Sequence, residues 1–187
     1  LRFQPGQHVS VKTLTAEEAR DYSIFSAPND DYLEILVKRV EGGMVSNLLY
    51  HCQPGDILEI SEPHGFFTIP WEFRSEKLLF IASGTGISPF HSFVKSDPGL
   101  NYLLLHGIRQ ADQTYGYETF DPLRLVSCVS QGESGLFHGR VTDYLKQHSI
   151  EQNSFCFLCG NSDMTLEAYQ ILKEKGVPGN HCFTETY

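Results

Sequence analysis

An apolar run, Leu78-Leu79-Phe80-Ile81-Ala82, leads directly into Ser83-Gly84-Thr85-Gly86-Ile87-Ser88-Pro89, and this junction carries the clearest chemical signal in the sequence. Glycines let a backbone come close to a pyrophosphate, whose charge is then met by the free amides and positive dipole of a helix start. Pro89 suits the first helical turn, where no amide is needed. A bare strand-turn-helix corner would use the same residues. A P-loop is excluded, because no Lys-Ser or Lys-Thr follows the glycines.

A dinucleotide site that reads an unmodified ribose usually places Asp or Glu about 20 residues further on, whereas an Arg there accommodates a 2′-phosphate. The segment His106-Gly107-Ile108-Arg109-Gln110 supplies the basic option. Arg140, in His138-Gly139-Arg140, is a second candidate, since a guanidinium can grip a phosphate through two bonds. Two ordinary surface arginines are the alternative reading. Cys156-x-x-Cys159 invites a metal or thioredoxin-like reading, but residues three apart on a strand point to opposite faces. No second Cys pair or paired His completes a set in the sequence, so no metal is expected. Cys159, followed by Gly160 at a strand end, is better placed for a ligand, because open α/β sheets bind beyond the carboxyl ends of their strands. A buried structural thiol is the alternative.

These residues need two kinds of scaffold to hold them. From Leu1 to about Phe67, short strands alternate with turn residues at His8 to Lys12, Asp21 to Phe25, Tyr32 to Val40 and Ile57 to Ile60, which predicts a small antiparallel β-barrel. Past the linker Ile69-Pro70-Trp71-Glu72, strands at Leu78 to Ala82, Tyr102 to His106, Leu123 to Val129 and Phe155 to Leu158 alternate with helical stretches. Those stretches are Pro89 to Val94, Val141 to His148 and Met164 to Lys175. Such alternation predicts a parallel α/β sheet of Rossmann type. The working division is residues 1–72 and 73–187.

Bulk properties narrow the function classes. The 187 residues are 41% hydrophobic, enough for a real core. With 23 acidic against 14 basic side chains the net charge is -9, which argues against a nucleic-acid partner. No apolar run approaches the roughly 20 residues of a membrane span, and the first residues lack a signal-peptide pattern, so a soluble, cytoplasmic monomer is expected. Five cysteines without a regular framework predict free thiols.

Taken together, these segments resemble the ferredoxin-NADP reductase family over essentially the whole chain. Arg20-Asp21-Tyr22-Ser23 is similar to that family's Arg-x-Tyr-Ser/Thr flavin motif, and Gly43-Met44-Val45-Ser46 to its second flavin segment. Gly84-Thr85-Gly86-Ile87-Ser88-Pro89 resembles its nicotinamide-binding turn, Cys159-Gly160-x-x-x-Met164 its Cys-Gly-x-x-x-Met signature, and Glu185-Thr186-Tyr187 its terminal Glu-x-Tyr. The stretches from Arg109 to Tyr115 and ending at Val141 look most like the bacterial ferredoxin/flavodoxin reductases.

The resemblance implies an enzyme that binds FAD in the barrel and NADP, or NAD, in the α/β domain, and exchanges electrons with ferredoxin or flavodoxin. It implies that Arg20 neutralises the FAD pyrophosphate with amides near Met44, Val45 and Ser46, and that Tyr22 lies on the isoalloxazine. Asp21, Ile24, Val37, Arg39 and Gly43 complete the flavin contacts. Ser23 would stand near the reacting nitrogen, with Cys159 and Glu185 around the point of hydride delivery and Tyr187 over the opposite flavin face. Gly84, Thr85, Gly86, Pro89, Arg109, Arg140, Gly160 and Met164 would hold the nicotinamide dinucleotide. The family also has a strand ahead of the segment matching Pro5-Gly6-Gln7, so a barrel lacking its first strand is expected. Where bacterial relatives carry Ser-Arg-Glu, this chain has Ser130-Gln131-Gly132-Glu133, which leaves NADP against NAD open. Two other functions stay in play: a reductase component of an oxygenase or a flavin reductase, and a non-catalytic redox-sensing protein. These 187 residues hold no four-Cys run, so a plant-type ferredoxin domain is not expected within this chain.

Overall fold

The fold is taken from a computed structural model that describes residues 1–13, 18–132 and 135–187; Glu133, in the stretch that departs from the bacterial pattern, lies outside them. In the first part, β1 (His8–Thr13) pairs antiparallel with β2 (Arg20–Ser23) on one side and β3 (Leu58–Ile60) on the other. Val9 and Val11, at alternate positions of β1, are buried with Ile24 in a small apolar cluster, while His8 and Ser10 face the other way. The antiparallel layer is therefore a three-stranded sheet, extended at its rim by single bridges His8–His64 and Ile24–Ile35.

One expected strand differs. Among the described residues, 32–40 join the sheet through the single bridge at Ile35. Beyond it, Leu36, Lys38, Arg39 and Val40 turn toward the same cleft that Arg20 and Tyr22 line from the opposite side, so the two backbones part instead of continuing a ladder. The chain then forms a helix that sequence reasoning passed over, α1 (Met44–His51), whose Val45 and Ser46 are buried.

The second part is a six-stranded, all-parallel sheet. Its strands are β4 (Leu78–Ser83), β5 (Tyr102–Ile108), β6 (Leu125–Val129), β7 (Phe137–His138), β8 (Phe155–Gly160) and β9 (Cys182–Thr186), in the order β7-β6-β5-β4-β8-β9. The boundary drawn at 72/73 falls inside a 3-10 turn, Trp71–Phe73. Residues 122–124 form another such turn, so the third strand of this sheet starts at Leu125 and not Leu123.

Both faces of the sheet are covered, which is why its central strands read as unbroken apolar runs. On one side α2 (Ser88–Ser96) packs Phe90, Phe93 and Val94 against Phe80, Leu104 and Phe157. On the other, α3 (Val141–Gln147) and α4 (Ser162–Glu174) pack Leu145, Ala168 and Leu172 against Ile81, Leu105 and Leu158. The two cysteines of Cys156-x-x-Cys159 separate as their spacing requires: Cys159 belongs to the first cluster and Cys156 to the second.

α2 also fastens the two layers together. The His91 ring stacks on Phe25 with centroids 3.6 Å apart, and its Nδ1–H donates to the Phe25 carbonyl at 2.7 Å. Ser92 Oγ donates to the Ser26 carbonyl at 2.7 Å, and Lys95 pairs with Asp30 at 2.8 Å. The helix that opens at the glycine turn thus fixes where the antiparallel layer sits, and with it Ser23.

Candidate active site between the two layers

β4 lies at the switch point of the parallel sheet, with β5 beside it on one flank and β8 on the other. Ligands in such sheets bind in the crevice beyond the strand ends at that point. A cleft of about 1480 Å³ opens there and continues over the antiparallel layer. Small-molecule sites run to roughly 300–1,000 Å³, so this one has room for two large ligands.

Serine, acid and phenol meet at its centre, with a buried thiol directly behind them. The Ser23 hydroxyl donates to Glu185 Oε1 at 2.8 Å, His8 Nδ1 lies 3.6 Å from Glu185 Oε2, and the Cys159 thiol points at Oε1 from 4.0 Å. The register explains the meeting: Ser23 sits opposite His8 on β1, and Glu185 opposite Cys159 on β8. Burial pushes the Glu185 carboxyl above the usual range, against the lowering effect of its bonds to Ser23 and His8. Burial also raises the Cys159 thiol well above its usual range, with Glu185 adding to it, so Cys159 serves as a neutral donor. Tyr187 leaves 56% of its surface open, but its hydroxyl reaches Thr85 and Cys159, and burial of that end raises its pKa. The Tyr187 amide donates to the Gly160 carbonyl at 3.4 Å.

Toward the antiparallel layer, the cleft gathers donors suited to a pyrophosphate. Arg20, Lys38 and Arg39 line it beside the start of α1, where Gly43 caps the helix without a side-chain bond to the first amides. Arg20 meanwhile bonds Glu18 at 2.6 Å, and Arg39 bonds Asn47 at 2.6 Å, so both are held locally near the cleft wall. Burial raises the Tyr22 hydroxyl, with Arg20 opposing.

Toward the parallel sheet, Gly84, Thr85, Arg109, Arg140 and Met164 line the cleft, as do Asp21, Ser23, Met44, Val45 and Ser46 on the other side. Six expected contact residues do not. Ile24 is fully buried in the core, and Val37 is not part of the lining. Gly86, Pro89, Cys159 and Gly160 are buried behind it as the support of the turn.

Sequence reasoning missed two histidines. His8 supplies the second contact to Glu185. His106, fully buried on β5, holds the glycine turn: its Nε2–H donates to the Gly84 carbonyl at 2.8 Å, and its Nδ1 accepts from the Tyr117 hydroxyl at 2.8 Å. A carbonyl can only accept, so Nε2 carries a proton, and burial keeps the ring neutral, which leaves Nδ1 as the acceptor. Burial depresses its pKa from 6.5 to about 4. Between those values the unfolded chain binds the extra proton, so this contribution is complete above 6.5 and is lost as pH falls toward 4. The loss amounts to about 3 kcal/mol. Urea unfolding between pH 7 and pH 4 is expected to show that slope, and His106→Gln to flatten it; an equal slope in both proteins would remove His106 as its source.

Comparison with known proteins agrees with this geometry. The model of the oxidoreductase FAD-binding domain family matches residues 1–69. The flavodoxin/ferredoxin-NADP reductase of Buchnera aphidicola is 31% identical over 178 residues, covering 83% of this chain and 69% of that protein. The reductase component of the propane 2-monooxygenase of Mycolicibacterium goodii is 26% identical over 206 residues, which take in 99% of this chain and 59% of that protein. The crystal structure of a ferredoxin NADP+ reductase from Neisseria gonorrhoeae with bound FAD and NADP superposes with a TM-score of 0.86 at 23% identity, over 99% of this chain and 87% of that one. With the motif order, the two-layer architecture and these matches in agreement, the chain belongs to the ferredoxin-NADP reductase family of flavoprotein oxidoreductases.

Proposed function

We propose that the chain is a flavin-dependent reductase that uses FAD and NADPH and passes electrons to a protein acceptor, ferredoxin or flavodoxin. The observation that carries the reading is the group Ser23, Glu185, Cys159 and Tyr187, assembled from both layers where the two halves of the cleft meet. The donor set fits the cofactors: three cations and an uncapped helix start for one pyrophosphate, a glycine turn for the other. FAD supplies the redox chemistry when bound, accepting a hydride and releasing electrons singly.

The protein's part is alignment and proton handling. α2 ties the layers so that Ser23 and Glu185 stay in contact. Glu185, its pKa raised by burial, is placed to exchange a proton through the Ser23 hydroxyl. Cys159 donates toward the same carboxylate, and Tyr187 closes the site from the strand end, where the nicotinamide ring of NADPH must displace it. Arg109 and Arg140 stand on the cleft wall where the far end of NADPH would lie, and both are exposed and free to grip a 2′-phosphate. Arg109→Ala is accordingly expected to raise the KM for NADPH about tenfold, the loss of one charge-assisted contact, and to leave that for NADH nearly unchanged. Equal effects on the two coenzymes would overturn the NADPH assignment.

A second reading, the reductase component of an oxygenase, is favoured by the similarity to the monooxygenase reductase component. Reduction of cytochrome c that depends on added ferredoxin or flavodoxin supports the first reading; electron delivery only to an oxygenase component supports the second. Rapid reduction of ferricyanide by NADPH excludes a purely sensing role.

A further inference from the structure

Three potential metal ligands, far apart in sequence, converge on the solvent-facing side of the antiparallel sheet. His8 and His64 exchange both backbone hydrogen bonds, at 2.9 and 3.0 Å, so they are directly opposed and their side chains share a face. Their rings meet edge-on with centroids 4.2 Å apart. On its other flank His8 opposes Ser23, and Asp21, two residues before Ser23 on β2, points to the same side. One ligand atom from each of His8, Asp21 and His64 lies within 4.8 Å of the others.

We propose that His8, Asp21 and His64 form a binding site for a divalent transition ion of the Zn²⁺ class at the edge of the cleft. Two imidazoles with one carboxylate and an open fourth position are a zinc donor set, whereas Mg²⁺ and Ca²⁺ call for oxygen ligands. Tetrahedral ligation at about 2.0–2.1 Å places donor atoms roughly 3.4 Å apart, so atoms now within 4.8 Å of one another must draw together by up to about 1.4 Å. Asp21 and His64 are exposed and can do so by side-chain rotation, while His8 is held from both flanks by the sheet. His64 Nδ1 already contacts the Glu62 carbonyl at 3.0 Å, which leaves Nε2 for the ion. No metal was expected from the sequence, where nothing completes a set with Cys156 and Cys159; His8, Asp21 and His64 come together only through strand register.

The position gives the ion a consequence. His8 Nδ1 is 3.6 Å from Glu185 Oε2, so an ion held on the His8 ring sets positive charge beside that carboxylate. Turnover should fall as the site fills. That effect rests on the proposed role of Glu185; binding does not.

The test titrates the FAD-loaded protein with Zn²⁺ against a chromophoric chelator, without turnover. One equivalent is expected to bind at about micromolar affinity, and His64→Ala and Asp21→Asn each to weaken it tenfold or more, roughly the cost of disturbing a ligand set. Thermal midpoints of both variants check that they remain folded. Uptake that persists undiminished in both variants would place the ion elsewhere on the protein, and no uptake below millimolar Zn²⁺ would dismiss the site; either result overturns the proposal. With a dye as electron acceptor, Zn²⁺ should slow the wild type and spare His64→Ala. Binding with unchanged wild-type turnover would keep the site and overturn its link to Glu185.

Discussion

Replacing Glu185 with Gln is expected to lower NADPH-driven ferricyanide reduction about a hundredfold in kcat, the low end of what general acid–base groups contribute. The substitution is nearly isosteric, so the amide can still accept from Ser23 at the 2.8 Å position and the β8–β9 pairing at Cys159 need not change. What disappears is an exchangeable proton. Two effects compete in setting the Glu185 pKa: burial raises it, bonds from Ser23 and His8 lower it, and burial is the larger. The wild-type rate should therefore depend on pH through a group titrating above the ordinary carboxylate range, and the variant should lose that dependence. KM for NADPH should move little, because Glu185 lies at the reacting end of the cleft and not beside Arg109 or Arg140. If Glu185→Gln keeps its turnover and its pH profile, the carboxyl is a structural link between layers and no more. Ser23→Ala provides the companion test, since it removes the hydroxyl and leaves the acid in place.

The second large effect concerns Gly86. A Cβ there would lie 2.2 Å from the carbonyl oxygen of Cys159, 2.7 Å from its carbonyl carbon and 2.9 Å from the Gly160 Cα. All three are backbone atoms of β8, which is locked to β4 through the Ala82–Cys159 pair, so neither side can yield without opening the parallel ladder. Gly86→Ala is expected to cost about 3 kcal/mol, the upper range for overpacking, and to abolish saturable NADPH binding. Gly84 offers the contrast within the same turn. Among the described residues nothing lies within 4 Å of a Cβ at Gly84, and its φ of +54° is what opposes a side chain. Gly84→Ala should therefore cost only about 1 kcal/mol and weaken NADPH binding modestly. Urea midpoints for the two variants would contradict this account if they came out in the reverse order.

Features legible in the sequence were those encoded by neighbours along the chain. The apolar run Leu78 to Ala82, the glycine turn after it and Pro89 in the first turn of α2 follow from local pattern. So does the split of Cys156 and Cys159 between opposite faces of β8. Features set by distant partners were not legible. Residues 32–40 have the composition of a strand, but the cleft draws them away from β2 after one bridge. α1 is a single short stretch of eight residues behind a flavin-like motif, and β9 exists because β8 offers it an edge. His8 and His106 acquire their roles from Glu185 and Gly84, residues with which they share no spacing rule. Ile24, expected among the contacts beside the flavin-like motif, has its side chain in the small core with Val9 and Val11.

The central claim, that this chain binds FAD and is reduced by NADPH, is tested most directly by an absorbance spectrum of the purified protein followed by anaerobic titration with NADPH. Visible flavin bands that bleach stoichiometrically as NADPH is added are the expected result. A protein that takes up no added FAD, or one whose flavin bands persist in excess NADPH, would contradict the account.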